Sequence, residues 1–497
     1  MSPLIQPLKP HHTDYLKDES RTSGQAESIS FPKNEIEVKQ IVKALFQQNI
    51  PITVQGSRTG ITGGAVPLRG HLLNLSAMNG ITGLDQNSDG IFSIRVQPGL
   101  CLSELNRQLT SGSFDTTEWS KNSIIALDAF KKAEKQFWPP DPTENSASIG
   151  GIAANNARGI CAHHYGPASQ HIKSLRVIDT KGDINVITRN SKKDLLNLYL
   201  GSEGMLGAIT ELTLALQPLP EELWGLVFFF KSQPASLGFI KAVSCRFQDY
   251  PDTKLASVEF MDKTTLNCIE KLKQESSQFK PLPDIHPKFT TAVYMEIHGG
   301  NSTEIETFAN KLMETTAEFG CDPDTSWAFC GQIEIQRIRL FRHAAPESAN
   351  VFIDKARQTD SRIRKLGTDM QIPNGSLSSM VEMYQADLHQ KNLKGAVFGH
   401  AIDCHLHVNI LPEDHAQFVE AKKLIAKWAT TICSKGGNVV TEHGVGKIKK
   451  HLFQNLPLQK HHASIARAKQ LLDPKGLWNP GNMLNKTHAK SVTGLYK

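Results

Sequence analysis

PITVQGSRTGITGGAVP, at residues 51–67, joins a short apolar run to a loop that is dense in glycine. The run predicts a β-strand over residues 50–54, and residues 56–64 then contain four glycines and three hydroxyl side chains. Without Cβ atoms, successive backbone amides can form a concave site for phosphate. The spacing matches neither GxxxxGK[ST] nor a GxGxxG fingerprint, which disfavours a P-loop enzyme and a nicotinamide Rossmann site. On its own, the loop is equally compatible with a tight turn that binds nothing.

Two more glycine loops follow in the same half of the chain. PPDPTENSASIGG, at residues 139–151, leads into a run of small residues at 153–157, where a flat ring can approach the backbone. GSEGMLG, at residues 201–207, precedes a run at 208–216 with the composition of a strand. The three loops together indicate a site for a phosphate-bearing ligand.

The composition of the 497-residue chain disfavours several functional classes. Its 55 basic and 49 acidic residues are well mixed and give a net charge of +6, unlike a nucleic-acid-binding face. The sequence has no apolar run of membrane-spanning length and no secretory signal at its N-terminus. Eight cysteines without CxxC spacing indicate reduced thiols. We therefore predict a cytoplasmic protein with at most peripheral membrane contact and no nucleic-acid partner.

Pro218 and Pro220 mark a predicted boundary in the middle of the chain. Beyond it, predicted strands alternate with predicted amphipathic helices; the strands are at 257–261, 293–297, 396–398 and 405–410, and the helices at 303–318 and 415–435. This order predicts a second, α+β domain built on a sheet.

Histidines are concentrated near the last of these strands. Residues 399–409 read GHAIDCHLHVN, and residues 441–444 read TEHG. Because side chains alternate along a strand, His405, His407 and Asn409 are expected on one face, with His400 on the preceding loop. Two imidazoles and a carboxylate leave an open position on a divalent ion, as a catalytic zinc site requires. From residue types alone, ordinary hydrogen-bonded histidines are an equal alternative.

Five stretches resemble the flavoproteins of the vanillyl-alcohol oxidase / p-cresol methylhydroxylase family, and within it the FAD-dependent D-2-hydroxyacid dehydrogenases. They are PITVQGSRTGITGGAVP (51–67), RVQPG (95–99), PPDPTENSASIGGIAANNARG (139–159), GSEGMLGAITELTL (201–214) and DPKGLWNPGNML (473–484). The resemblance implies an α+β fold with three parts. A two-subdomain FAD-binding domain of the p-cresol methylhydroxylase (PCMH) type is expected over residues 1–220, and an α+β cap domain with an antiparallel sheet and the metal site over residues 221–455. A C-terminal segment, 456–497, is expected to return to the FAD domain.

The resemblance also implies how FAD is held. Family members that attach FAD covalently usually use a histidine in or near the first loop, and none lies between Gln55 and Gly64, so non-covalent binding is expected. The implied FAD contacts are Gly56, Ser57, Thr59, Gly60, Thr62, Gly63, Glu144, Ser148, Gly151, Asn155 and Ile209.

The histidine stretches resemble the motifs GHxGDGNxHxN and EHG(I/V)G of the metal-containing hydroxyacid dehydrogenases. The resemblance implies that His400, His407 and Glu442 bind a divalent metal, with zinc as the expected ion. It also implies that Asn409 contacts the substrate and that His443 is the catalytic base.

The match departs from the family pattern in the loop between the histidines. Ala401 and Ile402 replace a pair of a small residue and glycine, Cys404 stands where the family has glycine, and His405 stands where it has asparagine. His405 or a Cys404 thiolate therefore remains an alternative or additional ligand, and a thiolate would favour zinc.

FRHAAPE, at residues 341–347, resembles the family stretch whose arginine binds the substrate carboxylate, which implies that role for Arg342. The implied reaction is oxidation of a D-2-hydroxyacid, D-lactate first among them, to the 2-oxoacid. The metal assists deprotonation of the hydroxyl by His443, and hydride passes from C2 to flavin N5.

Two other functions remain open from the sequence: a metal-free FAD oxidase of a sugar or alcohol, and a flavin subunit that relays electrons within a larger complex. The expected partners are a small 2-hydroxyacid and an electron acceptor of unknown identity. A homodimer also remains open.

Overall fold

The structure is a computed structural model that describes residues 4–189, 194–248, 250, 252–453, 456–457 and 460–484. The chain folds into two compact units. The first comprises Met1–Gly159, Gly166–Leu219 and Glu442–Lys497, and the second comprises Ile160–Tyr165 and Pro220–Thr441. The polypeptide therefore passes from one unit to the other four times.

These units differ from the predicted domains in two segments and at Pro220, which was predicted in the FAD domain and belongs to the second unit. Residues 442–455 were predicted in the cap domain and belong to the first unit, whereas residues 160–165 were predicted in the FAD domain and belong to the second. The predicted C-terminal segment, 456–497, belongs to the first unit, and its residues 485–497 lie outside the described residues. The functions assigned to the domains stay predictions.

The strands of the described chain are, in order, β1 (Gln6–Pro7), β2 (Ser28–Ser30), β3 (Ile52–Gln55), β4 (His71–Asn74), β5 (Ile81–Gln86), β6 (Phe92–Val96), β7 (Gln136–Phe137), β8 (Ile172–Ile178), β9 (Ile184–Thr188), β10 (Ala208–Ala215), β11 (Gln217–Pro218), β12 (Glu222–Phe230), β13 (Thr253–Met261), β14 (Thr291–Gly299), β15 (Trp327–Cys330), β16 (Leu366–Gly367), β17 (Met370–Gln371), β18 (Gly395–His400) and β19 (His405–Ile410).

The α-helices are α1 (Glu35–Gln47), α2 (Leu102–Ser111), α3 (Lys121–Phe130), α4 (Ile149–Asn155), α5 (Ala162–Tyr165), α6 (Leu195–Tyr199), α7 (Gln233–Arg246), α8 (Lys263–Glu275), α9 (Ser302–Glu318), α10 (Glu334–Thr359), α11 (Leu377–Gln390), α12 (His415–Ser434) and α13 (Lys460–Leu472). None of these helices, within the ranges described, has both the length and the apolar character to cross a membrane.

The first unit contains two main sheets. One has the strand order β1-β2-β4-β3, with β2, β4 and β3 parallel, and the other is antiparallel with the order β5-β6-β10-β8-β9. Helix α1 begins where Asn34 Oδ1 accepts a hydrogen bond from the Glu37 amide at 3.0 Å, and it buries Val38, Val42 and Leu45 on one face. The first glycine loop joins β3 to β4.

The C-terminal segment completes the β3 edge of the first sheet. The Ile52 amide donates to the Leu477 carbonyl at 2.8 Å, and the Val54 amide donates to Asn479 Oδ1 at 2.8 Å. Trp478, fully buried, packs edge-on against Phe46 of α1. The first unit therefore depends on residues from both ends of the sequence.

The second unit is built on an eight-stranded sheet. Its order is β15-β12-β14-β13-β18-β19-β16, with β17 also paired to β19, and every pairing is antiparallel. Helix α5, from the short segment 160–165, lies against β13. The predicted α+β class and the antiparallel cap sheet are confirmed.

Two details of the histidine strands bear on the site. The prediction of a strand over residues 405–410 is confirmed by β19. The prediction that His400 lies on a loop is wrong, because His400 is the last residue of β18 and pairs in register with His405.

Candidate functional site

The first and second glycine loops meet at one serine in the first unit. Ser148 Oγ, at the start of α4, accepts hydrogen bonds from the Gly151 amide at 3.3 Å and the Ser57 amide at 3.4 Å. A Cβ atom on Gly56 would lie 2.0 Å from the same oxygen, so only glycine allows this approach. Four predicted FAD contacts, Gly56, Ser57, Ser148 and Gly151, are thereby brought together.

The rest of the first loop fits a phosphate-bearing cofactor. Arg58 and Gly63 have φ values of 64° and 75°, so the loop combines left-handed residues with ordinary ones, as in anion-binding backbone nests. A Cβ atom on Gly60 would meet nothing within 4 Å, which leaves open space above the backbone. Within the described chain, the amides of residues 59–64 donate no hydrogen bond to another residue. The loop thus presents free donors and space to a ligand.

The other predicted FAD contacts have varied surroundings. Glu144 is exposed, and its Oε1 accepts hydrogen bonds from the amide and hydroxyl of Ser146 at 3.0 and 2.6 Å. Ile209 is buried in β10 opposite Val177. Asn155 ends α4, and its Nδ2 donates to the Glu442 carbonyl at 2.8 Å.

The segment with the predicted base and one predicted metal ligand is attached to these loops in the first unit. The Thr62 carbonyl accepts from the amides of Lys447 and Ile448 at 2.9 and 3.1 Å, and Thr62 Oγ1 donates to the His443 carbonyl at 3.4 Å. Together with the Asn155 bond to Glu442, these contacts explain why residues from Glu442 onward belong to the first unit. Within the segment, His443 Nε2 lies 3.3 Å from Glu442 Oε1.

Two charged side chains reinforce this attachment. The Glu203 carboxylate, in the third glycine loop, accepts from the amides of Val445 and Gly446 at 2.6 and 2.8 Å. Burial raises the pKa of Glu203, although both amides and the nearby Lys447 favour its charged form. Lys447 Nζ donates to Asn482 Oδ1 and, at 3.2 Å, to the Gly63 carbonyl of the first loop. Burial lowers the pKa of Lys447 to about 8, even though the Glu203 and Asp18 carboxylates favour its charged form.

The second unit brings three histidines together on the paired strands β18 and β19. The ring centroids of His400 and His405 are 5.4 Å apart, those of His405 and His407 are 4.9 Å apart, and those of His400 and His407 are 6.3 Å apart. One ring nitrogen from each histidine lies within 4.8 Å of the other two. All three side chains are buried. This spacing suits a common metal ion.

Each histidine has a partner that fixes its ring. His407 Nδ1 donates to the Thr368 carbonyl at 3.3 Å, because a carbonyl oxygen only accepts. His400 Nδ1 pairs with Glu259 Oε1, and His405 Nε2 donates to Asp369 Oδ1 at 3.0 Å. In a neutral ring the other nitrogen then carries the lone pair, as a metal ligand requires. The donor set of the three histidines therefore fits a divalent ion.

Arg342 lies beside this cluster and is buried. Its Nε donates to Glu259 Oε2 at 3.0 Å, so Glu259 bridges the predicted carboxylate-binding arginine and the predicted ligand His400. Although burial alone would raise the pKa of Glu259, Arg342 and His400 keep it below its ordinary value.

Cys404 and Asn409 are buried in the same unit as the histidines. Cys404 has a φ of 47°, a conformation that favours glycine, and its Sγ donates to Met380 Sδ at 3.5 Å. Burial raises the pKa of the Cys404 thiol to about 11, so it stays protonated near neutral pH. Of the two additional ligands considered, the structure groups only His405 with the other histidines. Asn409 Oδ1 would lie 2.7 Å from a Cβ on Gly367, so that glycine makes room for the amide.

A second polar cluster in the same unit contains Cys161, Glu296 and His298, with one possible ligand atom from each within 4.8 Å. The Arg339 guanidinium binds both oxygens of Glu296, with Nε 2.9 Å from Oε1 and the terminal nitrogen 2.7 Å from Oε2. Burial alone would raise the pKa of Glu296, but Arg339 and His298 hold it well below its ordinary value. Because the arginine already supplies the compensating charge, we interpret this cluster as a buried ion-pair network.

The sequence interpretation missed the acidic partners. Glu259, Glu296, Asp369 and Glu203 all bind groups that are distant in the chain. The first two interrupt apolar strands, in SVEFM and YMEIH, and a carboxylate in a buried strand is a usable signal for a buried cation or histidine.

Comparisons with known proteins agree with these observations. Residues 240–483 match the family described as FAD linked oxidases, C-terminal domain, and residues 26–125 and 122–188 match the FAD binding domain. The chain is 27% identical over 500 residues to a D-lactate dehydrogenase of Anaerostipes hadrus, which covers 95% of this chain and 93% of that protein. It is 26% identical over 478 residues to a D-2-hydroxyglutarate dehydrogenase of Xanthomonas citri pv. viticola, which covers 93% of this chain and 89% of that protein.

A solved structure of alkyldihydroxyacetonephosphate synthase is similar with a TM-score of 0.65 at 14% identity. The similarity covers 97% of this chain and 82% of that one. It concerns the fold alone, and it confirms the predicted PCMH-type α+β fold together with the match to the FAD binding domain.

Proposed function

We propose that this chain, which belongs to the FAD-linked oxidase family and is an FAD-dependent oxidoreductase acting on a CH–OH donor, oxidises D-lactate to pyruvate with the help of a divalent metal. Relatives named D-lactate and D-2-hydroxyglutarate dehydrogenases support oxidation of a hydroxyacid. D-lactate and the metal-assisted mechanism are the specific parts of the proposal.

The observation that carries the metal-assisted mechanism is the convergence of three imidazoles in the second unit. His400 and His407 each donate one ring proton to a fixed acceptor, which leaves Nε2 of both rings as a ligand atom. We assign these two histidines and Glu442 as the ligands of a zinc-like ion. His405 likewise donates a ring proton to a fixed acceptor, Asp369 Oδ1, and is a candidate for a further ligand.

When bound at these residues, FAD would supply the acceptor for the hydride from C2, and a divalent ion held by His400, His407 and Glu442 would supply a positive charge that acidifies the C2 hydroxyl. His443 accepts the hydroxyl proton as general base, since imidazoles titrate near neutral pH. Asn409 hydrogen-bonds the substrate, and Arg342 binds its carboxylate. Arg342 enters this role already paired with Glu259, which fixes its side chain.

FAD is proposed to bind non-covalently at the three glycine loops of the first unit. The first loop supplies free amides and space, and Ser148 joins it to the second loop. The cytoplasmic location with at most peripheral membrane contact stays a prediction from the sequence. The identity of the electron acceptor and the homodimer stay open.

The test is anaerobic reduction of the bound flavin by a panel of D- and L-2-hydroxyacids, before and after treatment with a chelator. We expect D-lactate to bleach the flavin, chelation to slow bleaching strongly, and His443→Ala to abolish it. His389→Ala, at an exposed histidine of α11, is the matched control and should behave like the wild type.

Two results would replace the proposal. Bleaching that is unaffected by chelation, in protein without bound metal, would favour a metal-free FAD oxidase. A flavin that no hydroxyacid reduces would favour an electron-relay subunit.

A further inference from the structure

One acidic side chain holds the peptide that carries the proposed base. Glu203 Oε1 accepts from the Val445 amide at 2.6 Å, and Oε2 accepts from the Gly446 amide at 2.8 Å. Both amides follow His443 within three residues, so the carboxylate fixes the direction of the backbone immediately after the base. Charge-assisted bonds of this kind are shorter and stronger than neutral ones.

Glu203 is itself held rigidly by the first unit. Its φ of 51° is in the left-handed region, which a residue other than glycine adopts only where its surroundings determine it. Its amide donates to the Ala154 carbonyl at 2.8 Å, and its carbonyl accepts from Asn479 Nδ2 and Asn482 Nδ2 at 2.8 and 3.1 Å. The position of the Glu203 side chain is therefore restricted by its own backbone.

The backbone of residues 442–446 packs directly against the Glu203 side chain. Gly444 has a φ of 76°, and a Cβ there would lie 3.0 Å from Glu203 Oε1 and 2.3 Å from Asn155 Oδ1. Asn155 Nδ2 in turn donates to the Glu442 carbonyl. The backbone on both sides of His443 is therefore bound, by Asn155 before it and by Glu203 after it.

We propose that Glu203 is a positioning residue for catalysis: through the amides of Val445 and Gly446 it sets where the His443 imidazole stands relative to the flavin loops. This inference rests on the proposed function, because it assumes that His443 is the base. In this role Glu203 acts through the backbone amides of Val445 and Gly446, which its carboxylate binds. Its effect should therefore appear in the rate of the chemical step and leave the affinity for FAD and substrate little changed.

The experiment compares Glu203→Gln with Glu211→Gln in the FAD-loaded protein. Glutamine keeps the shape of Glu203 but turns an amide donor toward one of two backbone donors. Glu211 is a half-buried glutamate on β10 of the same unit and accepts a hydrogen bond from Thr82. Among the residues that the structure describes, it has no hydrogen bond to the 442–448 segment. The rate of flavin reduction by D-lactate is measured per bound flavin by anaerobic stopped-flow, with the KM for D-lactate and the FAD dissociation constant.

We expect Glu203→Gln to reduce flavin about 10- to 100-fold more slowly, since a displacement of about 1 Å in a catalytic group costs about 100-fold. KM and FAD affinity should change less than about threefold. The solvent isotope effect on flavin reduction should rise, because proton removal by a misplaced base becomes slower. Glu211→Gln should match the wild type, and Glu203→Asp, which keeps the charge but is shorter, should fall between.

An unchanged rate of flavin reduction per bound flavin in Glu203→Gln would overturn the inference. This holds also if the variant loses part of its flavin or unfolds at a lower temperature, as long as the FAD-loaded fraction reacts at the wild-type rate. If Glu203→Gln fails to fold, Glu203→Asp decides by the same measurement. Failure of the proposed function is distinguishable, because the wild-type flavin would then not be reduced by any D-2-hydroxyacid.

Discussion

Replacement of Glu259 by glutamine should strongly destabilise the second unit around β13. Glu259 is fully buried and pairs with the buried Arg342 at 3.0 Å and with His400. Glutamine preserves the volume but leaves the guanidinium as an uncompensated buried charge, and removal of one partner of a buried pair costs about 3–5 kcal/mol. Because glutamine still offers one acceptor, we expect a cost near the lower limit, about 3 kcal/mol.

Hydrogen exchange is the suitable assay, because local opening can be measured without assuming two-state unfolding of a two-unit protein. A cost of about 3 kcal/mol corresponds to exchange that is about 100-fold faster in peptides covering β13 and β18. The matched control is Glu413→Gln, at an exposed pair with Lys394 in the same unit, which should leave exchange close to that of the wild type.

The pH dependence gives the prediction a second check. The pKa of Glu259 is lower in the folded protein than its ordinary value, so its stabilisation is present above the unfolded pKa and is lost as the pH falls through the folded pKa. The difference between wild type and Glu259→Gln should therefore shrink on acidification below about 4.5. Exchange in Glu259→Gln as slow as in Glu413→Gln, or a difference that does not shrink in acid, would refute this reasoning.

Three further predictions follow from other sites. Gly56→Ala should both destabilise the first unit and release FAD, because its Cβ would collide with Ser148 Oγ, whereas Gly60→Ala should weaken FAD binding alone. Thermal unfolding and flavin fluorescence separate the two effects, and equal melting temperatures of the two variants would contradict the collision. Cys404 in the folded protein should resist alkylation at pH 8, since burial raises its pKa to about 11. Mass spectrometry measures the labelling rate, and labelling as fast as at the exposed cysteines would be inconsistent with a buried, protonated thiol. Burial lowers the pKa of His71 to about 3, so the stabilisation that its neutral ring gives the folded protein is present above about pH 6.5 and is lost as the pH falls. The difference in unfolding free energy between wild type and His71→Gln should therefore narrow from pH 7 to pH 4. A constant difference would argue against a neutral buried ring.

The sequence was sufficient for the features that depend on local pattern. Alternation in residues 405–410 predicts the strand that β19 confirms, and the glycine loops are recognisable from their composition alone. The α+β class follows from the order of helices and strands.

Features that depend on distant partners were beyond the sequence patterns. His400 belongs to β18 because its backbone pairs with His405, and its ring is fixed by Glu259, which is remote in the chain. Residues 442–448 follow the cap strands in sequence but are bound by Thr62, Asn155 and Glu203 of the first unit. Neither apolar periodicity nor spacing encodes such long-range hydrogen bonds.

The route of the chain between the two units has a consequence for biosynthesis. On a ribosome, domains generally fold from the N-terminus onward. Here the second unit is complete once Thr441 has been made, whereas the first still lacks the residues that close β3, Leu477 and Asn479. The unit that begins the chain must therefore be the last to finish folding, because its first and third glycine loops lack their partners Lys447 and Asn482 until those residues have emerged.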